Sequence, residues 1–274
     1  MRLAIMIVAL AASACYGQTT KVFQFTQNQN PQDLQEISVV LRATADIQQQ
    51  SIDDKTRSIT VNAPEEQVAM ANWLVRQLDL PRAATSGGVR EYRPPTGGDV
   101  VVRVLYAKHA PAPQDLQELV TTIRSVADVQ RVFVYNALNA VVVRGTNQHI
   151  SLAAWLMDEL DQPADAPAPA PQEYKLPGDD VARVFDLANP QTPEQLQEIV
   201  TLIRSVGDIQ RLFVCVRRRS IALRATTERV ALATWLVNEL DRPASAATAG
   251  AGTHEFQTGE RSGECGPGIL SGEI

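Results

Sequence analysis

The sequence predicts an α+β protein of three tandem β-α-β-β-α units, each a small three-stranded sheet with two helices on one face. Three observations predict it. All three tryptophans recur at one place, Trp73, Trp155 and Trp235, separated by 82 and 80 residues. The segment Pro31-Gln32-Asp33-Leu34-Gln35-Glu36 returns unchanged at residues 113–118 and as Pro193-Glu194-Gln195-Leu196-Gln197-Glu198. Residues 104–163 and 184–243 agree without gaps at about 26 of 60 positions, and such self-similarity marks a repeat architecture.

Each unit opens on a short β-branched and aromatic run, residues 22–25, 101–105 and 181–185, the composition of a strand. A helix follows, with proline in its first turn and an acidic residue close behind, as the helix dipole favours. In the second unit its apolar residues Leu116, Leu119, Val120, Ile123 and Val126 keep the spacing of a half-buried helix. Residues 131–135 and 140–143 flank residues 136–139 and read as a hairpin. The first unit turns through Asp53-Asp54-Lys55-Thr56 and the third through Val216-Arg217-Arg218. A second helix runs from about residue 148 to residue 161 and stops at Pro163. Its apolar face is Ile150, Leu152, Ala153, Leu156, Met157 and Leu160.

The organisation expected is a signal peptide over 1–17, units over 22–81, 101–163 and 181–243, linkers over 82–100 and 164–180, and a disordered tail over 244–274. The N-terminus has a charged start, an apolar stretch over residues 3–10 and small residues over 11–14, the pattern of an exported chain. That stretch is half the roughly 20 residues a membrane-spanning helix needs. Cleavage after Ala14 or after Gly17 both satisfy the small-residue rule, and Cys15 is a candidate for lipidation, although Ala12 stands where a lipobox usually has leucine. The linkers are rich in Gly, Pro and Ala, which favours extended, semi-stiff backbone where Ala and Pro alternate. They also repeat: Glu91-Tyr92-Arg93, Glu173-Tyr174-Lys175 and Glu255-Phe256-Gln257 lie 82 residues apart. The period thus continues past the third unit, and the tail stands where a fourth would begin.

Composition narrows the function. The 274 residues are 45% hydrophobic and 20% charged, enough apolar content for a packed protein. A formal charge of −6 and 5% aromatics argue against nucleic acid as a partner, which needs positive fields or stacking platforms. Three cysteines and three histidines, none clustered, supply neither a metal site nor a disulfide framework, so no cofactor is expected. Catalytic motifs such as His-Glu-x-x-His, Gly-x-Ser-x-Gly or a phosphate-binding glycine loop do not occur. The first-turn carboxylates read as helix caps, the Arg217-Arg218-Arg219 run as a solvated turn, and Cys215 as a buried or edge thiol, with pairing to Cys265 left open. A Gly-x-x-Gly loop between helices, which an RNA-binding KH module needs, is not present.

The strand and helix motifs carry a resemblance. Arg57-Ser58-Ile59-Thr60-Val61 after an acidic turn, Leu78-Asp79-Leu80-Pro81, Arg219-Ser220-Ile221-Ala222-Leu223 and Leu240-Asp241-Arg242-Pro243 resemble the periplasmic ring-building subdomains of bacterial secretins. The likeness covers most of residues 22–243. It implies the same β-α-β-β-α fold, a periplasmic place and non-enzymatic work, either side-by-side packing into rings or docking of other envelope proteins. No channel-forming β domain follows the third unit, so a pore is not expected and ring formation loses the element that holds secretin rings together.

Trp73, Trp155 and Trp235 lie off the apolar face of their helices, beside residues such as Arg76, Asp158 and Glu239. Two readings stay open. The indoles border their own core, or they point away from it and need a cover, because a bare indole exposes much apolar surface. Tyr92 and Tyr174 in the linkers, with Pro94 and Pro177 nearby, are candidates for that cover, and a partner protein is another. The function expected is association with envelope proteins or with itself, through sheet edges and the tryptophan-bearing helix face. A passive structural spacer is the alternative. An enzyme would require a cleft gathering titratable side chains from different units.

Overall fold

The computed structural model describes residues 17–27, 30–85, 90–95, 98–110, 112–163, 166, 172–189 and 192–242. The order β-α-β-β-α occurs three times in succession. The first run comprises β1 (Gln18–Gln24), α1 (Pro31–Thr44), β2 (Gln49–Asp53), β3 (Ser58–Pro64) and α2 (Glu65–Leu78). The second is preceded by the short strand β4 (Arg90–Tyr92) and contains β5 (Val100–Tyr106), α3 (Pro113–Val126), β6 (Arg131–Tyr135), β7 (Ala140–Thr146) and α4 (Asn147–Leu160). The third is preceded by β8 (Glu173–Lys175) and contains β9 (Asp180–Asp186), α5 (Pro193–Gly207), β10 (Arg211–Cys215), β11 (Ser220–Thr226) and α6 (Thr227–Leu240).

All pairing is antiparallel, in the orders β1-β3-β2, β4-β5-β7-β6 and β8-β9-β11-β10. The fold is therefore α+β, with a correction to the strand count. The second and third sheets have four strands, because the Glu-Tyr segments of the linkers pair along β5 and β9. Three residues between glycines and prolines give too short a pattern for strand periodicity to stand out.

Local sequence sets the boundaries. Pro31, Pro113 and Pro193 open the first helix of each run, where the missing N–H costs nothing. Asp46, Asp128 and Asp208 come after those helices with φ of 57°, 58° and 47°, a left-handed stop that Asp tolerates better than most residues. The hairpin turns end on Arg57, Asn139 and Arg219, also at positive φ. The α4 face predicted from periodicity is buried residue for residue.

The packing goes beyond helices on one face of a sheet. Phe23, Ile59 and Leu74 of the first run share a core cluster with Val102, Val104, Ala140 and Val142 of the second sheet. Val126, Ile150 and Leu156 of the second run share theirs with Ala182, Val184, Cys215 and Ala222 of the third sheet. The third core contains residues 181–237 alone. Helices α1–α2 and α3–α4 are thus each sandwiched between their own sheet and the next.

Candidate interaction surface

Two recurring contacts join consecutive runs. The first is aromatic. Trp73 meets Tyr92 with ring centroids 5.6 Å apart and planes tilted by 39°, and Trp155 meets Tyr174 at 5.6 Å and 45°. Such tilted pairs contribute about 0.5–1.5 kcal/mol beyond their buried area. The strand β4 or β8 holds each tyrosine against the preceding tryptophan helix. Trp235 occupies the same helical place, half-buried against the third core, while Phe256, Cys15 and Cys265 lie outside the described residues.

The second contact places the first helix of one run on the outer face of the next sheet, and its polar rim repeats. The Glu36 carboxylate accepts from the Asn136 backbone N–H (2.9 Å) and from its Nδ2 (2.8 Å). The corresponding Glu118 accepts from the Val216 N–H (3.1 Å). Asp46 takes Arg131 at 2.8 Å and Arg144 at 2.6 Å, and Asp128 takes Arg211 at 2.8 Å. An acidic residue at each end of the helix therefore finds a donor on the sheet, with apolar side chains between them. The periodicity of the first helix predicts a half-buried element with a single covered face. The signal that identifies the second contact is apolar content on both faces of the strands: Ala140-Val141-Val142-Val143 has no alternation, the pattern of a strand covered on both sides.

The Leu-Asp-x-Pro motif acquires a physical role. Asp161, buried at the end of α4, accepts from the backbone N–H groups of Lys108 and His109. Asp79 does the same for Thr26 and Gln27, and Asp241 for Ala188 and Asn189. Each carboxylate pins the loop after the first strand to the end of the second helix.

The arginine run is not a solvated turn. Arg217 donates to the carbonyls of Leu160 and Gln162, and Arg218, only 7% exposed, donates to that of Pro163 and pairs with Asp186 at 3.2 Å. The two clamp the end of α4 across the seam, where a helix C-terminus attracts cations; Arg219 stays exposed. Cys215 is a free thiol buried between α3 and the third sheet, pushed up to about 11 by burial first and by Glu118 second. A cavity of about 230 Å³ opens beside β5 and α4, and one of about 260 Å³ lies at the seam between the first two runs. Within their charged lining, Arg103 pairs with Glu91 and Arg144 with Asp46. No group of three His, Cys, Asp or Glu residues suited to a metal occurs among the described residues, nor does a helix long and apolar enough to cross a membrane.

No known family profile and no curated protein matches the chain. Similar solved structures include Aeromonas hydrophila ExeD, at 17% identity over 82% of this chain and 41% of that one, with a TM-score of 0.21. The N-terminal domain of the secretin XcpQ from Pseudomonas aeruginosa matches at 17% identity over 52% and 62%, with a TM-score of 0.23. Dim2p from Pyrococcus horikoshii matches at 12% over 53% and 91%, with a TM-score of 0.29. The chain thus spans well under half of ExeD, and its neighbours include both secretin N-terminal domains and a protein also solved in a complex with rRNA.

Proposed function

We propose that this chain is an exported, non-enzymatic cell-envelope protein that works by associating with other proteins through its secretin-like β-α-β-β-α runs. The observation that carries this reading is the helix-on-sheet contact: one side-chain pattern is used as an adhesive twice, between different parts of the chain. The paired tryptophans and tyrosines, Trp73 with Tyr92 and Trp155 with Tyr174, serve that adhesion, and Trp235 holds the equivalent place on α6. The charged start, apolar stretch and small-residue site at the N-terminus support export to the periplasm, with removal of residues 1–14 or 1–17 and Cys15 as the residue to carry a lipid if one is attached. The acidic balance supports protein over nucleic acid as the partner.

The test is expression of the whole chain in a bacterium with two membranes. Osmotic-shock fractionation, N-terminal mass analysis and in-cell cross-linking then track the product. The expected result is a shortened chain outside the cytoplasm, cross-linked into species heavier than the monomer. A full-length cytoplasmic chain, or an exported chain that stays monomeric under cross-linking, overturns the reading; the second outcome is what a spacer would give.

A further inference from the structure

We infer that the outer face of α5 is a docking site for a further antiparallel sheet carried by another polypeptide, with an apolar centre and an arginine beside it. This inference rests on the association reading and names the partner's chemistry.

The argument comes from three equivalent helices. Val40 of α1 and Thr122 of α3 are 1% and 0% exposed, whereas Leu202 at the same place in α5 is 44% exposed. Thr44 and Val126 are both fully buried, and Val206 at their place is 57% exposed. Val40 and Val126 belong to the cores shared with the following sheet, and the Thr44 carbonyl accepts from Arg144 of that sheet. Leu202 is larger than either of its buried counterparts and Val206 is as apolar as the buried Val126, the reverse of what a solvent-facing helix selects. The polar rim is retained too. Glu198 stands where Glu36 and Glu118 accept backbone N–H groups, and Asp208 where Asp46 and Asp128 take arginine. Asp208 meanwhile pairs with the exposed Arg229 at 2.8 Å. The neighbouring helix agrees: Leu152 and Leu160 of α4 are fully buried, while Leu232 and Leu240 of α6 are only partly so.

The two occupied seams specify the occupant. Each sheet that covers such a helix presents small apolar residues on its central strands, Val102, Val104 and Val142 or Ala182, Val184 and Ala222. Each adds a phenylalanine (Phe133 or Phe213), an arginine at the start of the next strand (Arg131 or Arg211), and a backbone N–H just past that strand. A second copy of this chain fits poorly. Its sheets two and three are already occupied, and its first sheet shows Thr20, Val22, Ser51, Thr60 and Asn62 at the equivalent places, with Gln49 for the arginine. Asp53 and Asp54 stand where Glu198 would arrive, so like charges would meet. That polar face is what an end-capping repeat carries. Residues 243–274 supply little that resembles a sheet: an Ala/Gly-rich stretch, Phe256 and the pair Ile269-Leu270.

The test turns the whole chain into its own partner. Substituting Gln49→Arg, Ser51→Phe, Asp53→Tyr, Thr60→Val and Asn62→Arg gives the first sheet the chemistry of the other two. By light scattering, this variant is expected to form head-to-tail oligomers that revert to monomer when Leu202→Asp and Val206→Asp are added. A re-faced chain with native circular dichroism that stays monomeric, or oligomers that survive those substitutions, overturns the proposal. A second measurement holds even if the re-faced chain does not fold. Val206→Cys in a Cys15→Ser, Cys265→Ser background should react with a thiol reagent at the rate of a small exposed thiol. Protection in the monomer would assign the face to residues 243–274, and protection that grows with concentration to a second copy, and either overturns it. Cross-linked complexes that persist in cells despite Leu202→Asp and Val206→Asp would reject this site while leaving the association reading standing.

Discussion

Helices α3 and α5 are close copies, sharing Leu-Gln-Glu, Ile-Arg-Ser-Val and a following Asp, yet they meet different surroundings. Val126 is sealed against the third sheet, while Val206, in the same place on the same face, meets water. The burial of a residue here is set by whether another sheet lies some sixty residues further along the chain, and its own helix has little say. The first sheet differs in the opposite sense. Its outer face is polar where the second and third are apolar, so the series has one finished end and one that is chemically still a seam.

The largest effect should come from charging that position. Val126→Asp buries an unpaired carboxylate and is expected to cost about 3–5 kcal/mol, whereas Val206→Asp should stay within about 0.5 kcal/mol, as surface changes do. Urea unfolding of the two variants measures the contrast. Equal losses would show that α5 is covered after all.

Asp161→Ala should come next. Losing two N–H partners of a buried carboxylate costs about 2–3 kcal/mol. Asp241→Ala, at a carboxylate less buried than Asp161 and with its bond to Ala188 exposed, should cost roughly half as much by the same measurement.

The Cys215 thiol separates the covered sheet face from a bare one by pH. Its folded value, about 11 against an ordinary 9.0, means the unfolded chain ionises first. Stability is thus unaffected below about pH 9 and declines as pH rises from 9 towards 11, by about 1–3 kcal/mol. Cys215→Ala should flatten that decline, and the native thiol should resist labelling at pH 8. Among the buried contacts, the smallest loss is expected for Tyr174→Leu, about 1 kcal/mol, read as a small fall in thermal midpoint with a change in Trp155 fluorescence.

Much of this was legible in residues alone. The i, i+3, i+4 stripe of α4 and the prolines opening α1, α3 and α5 gave the elements, because amphipathic periodicity and proline geometry are local. What local pattern reports poorly is contact between elements far apart. The arginines at 217 and 218 read as solvated because a basic turn usually is, and only the tertiary placement of Leu160 and Pro163 recruits them. Glu36 and Glu118 read as first-turn caps, yet their acceptors face the next sheet. The strands β4 and β8 escaped because three residues hold no period.

Because α1 and α2 take one wall of their core from β5 and β7, the first run is not complete when its own residues have been made. On a ribosome it must wait for about another sixty to emerge before its valines and leucines are shielded, and the second run waits in turn for the third. Maturation is therefore vectorial and delayed by one step throughout, and stripping away the last sheet would undermine its predecessors in sequence, whereas removing the first would leave the later cores closed.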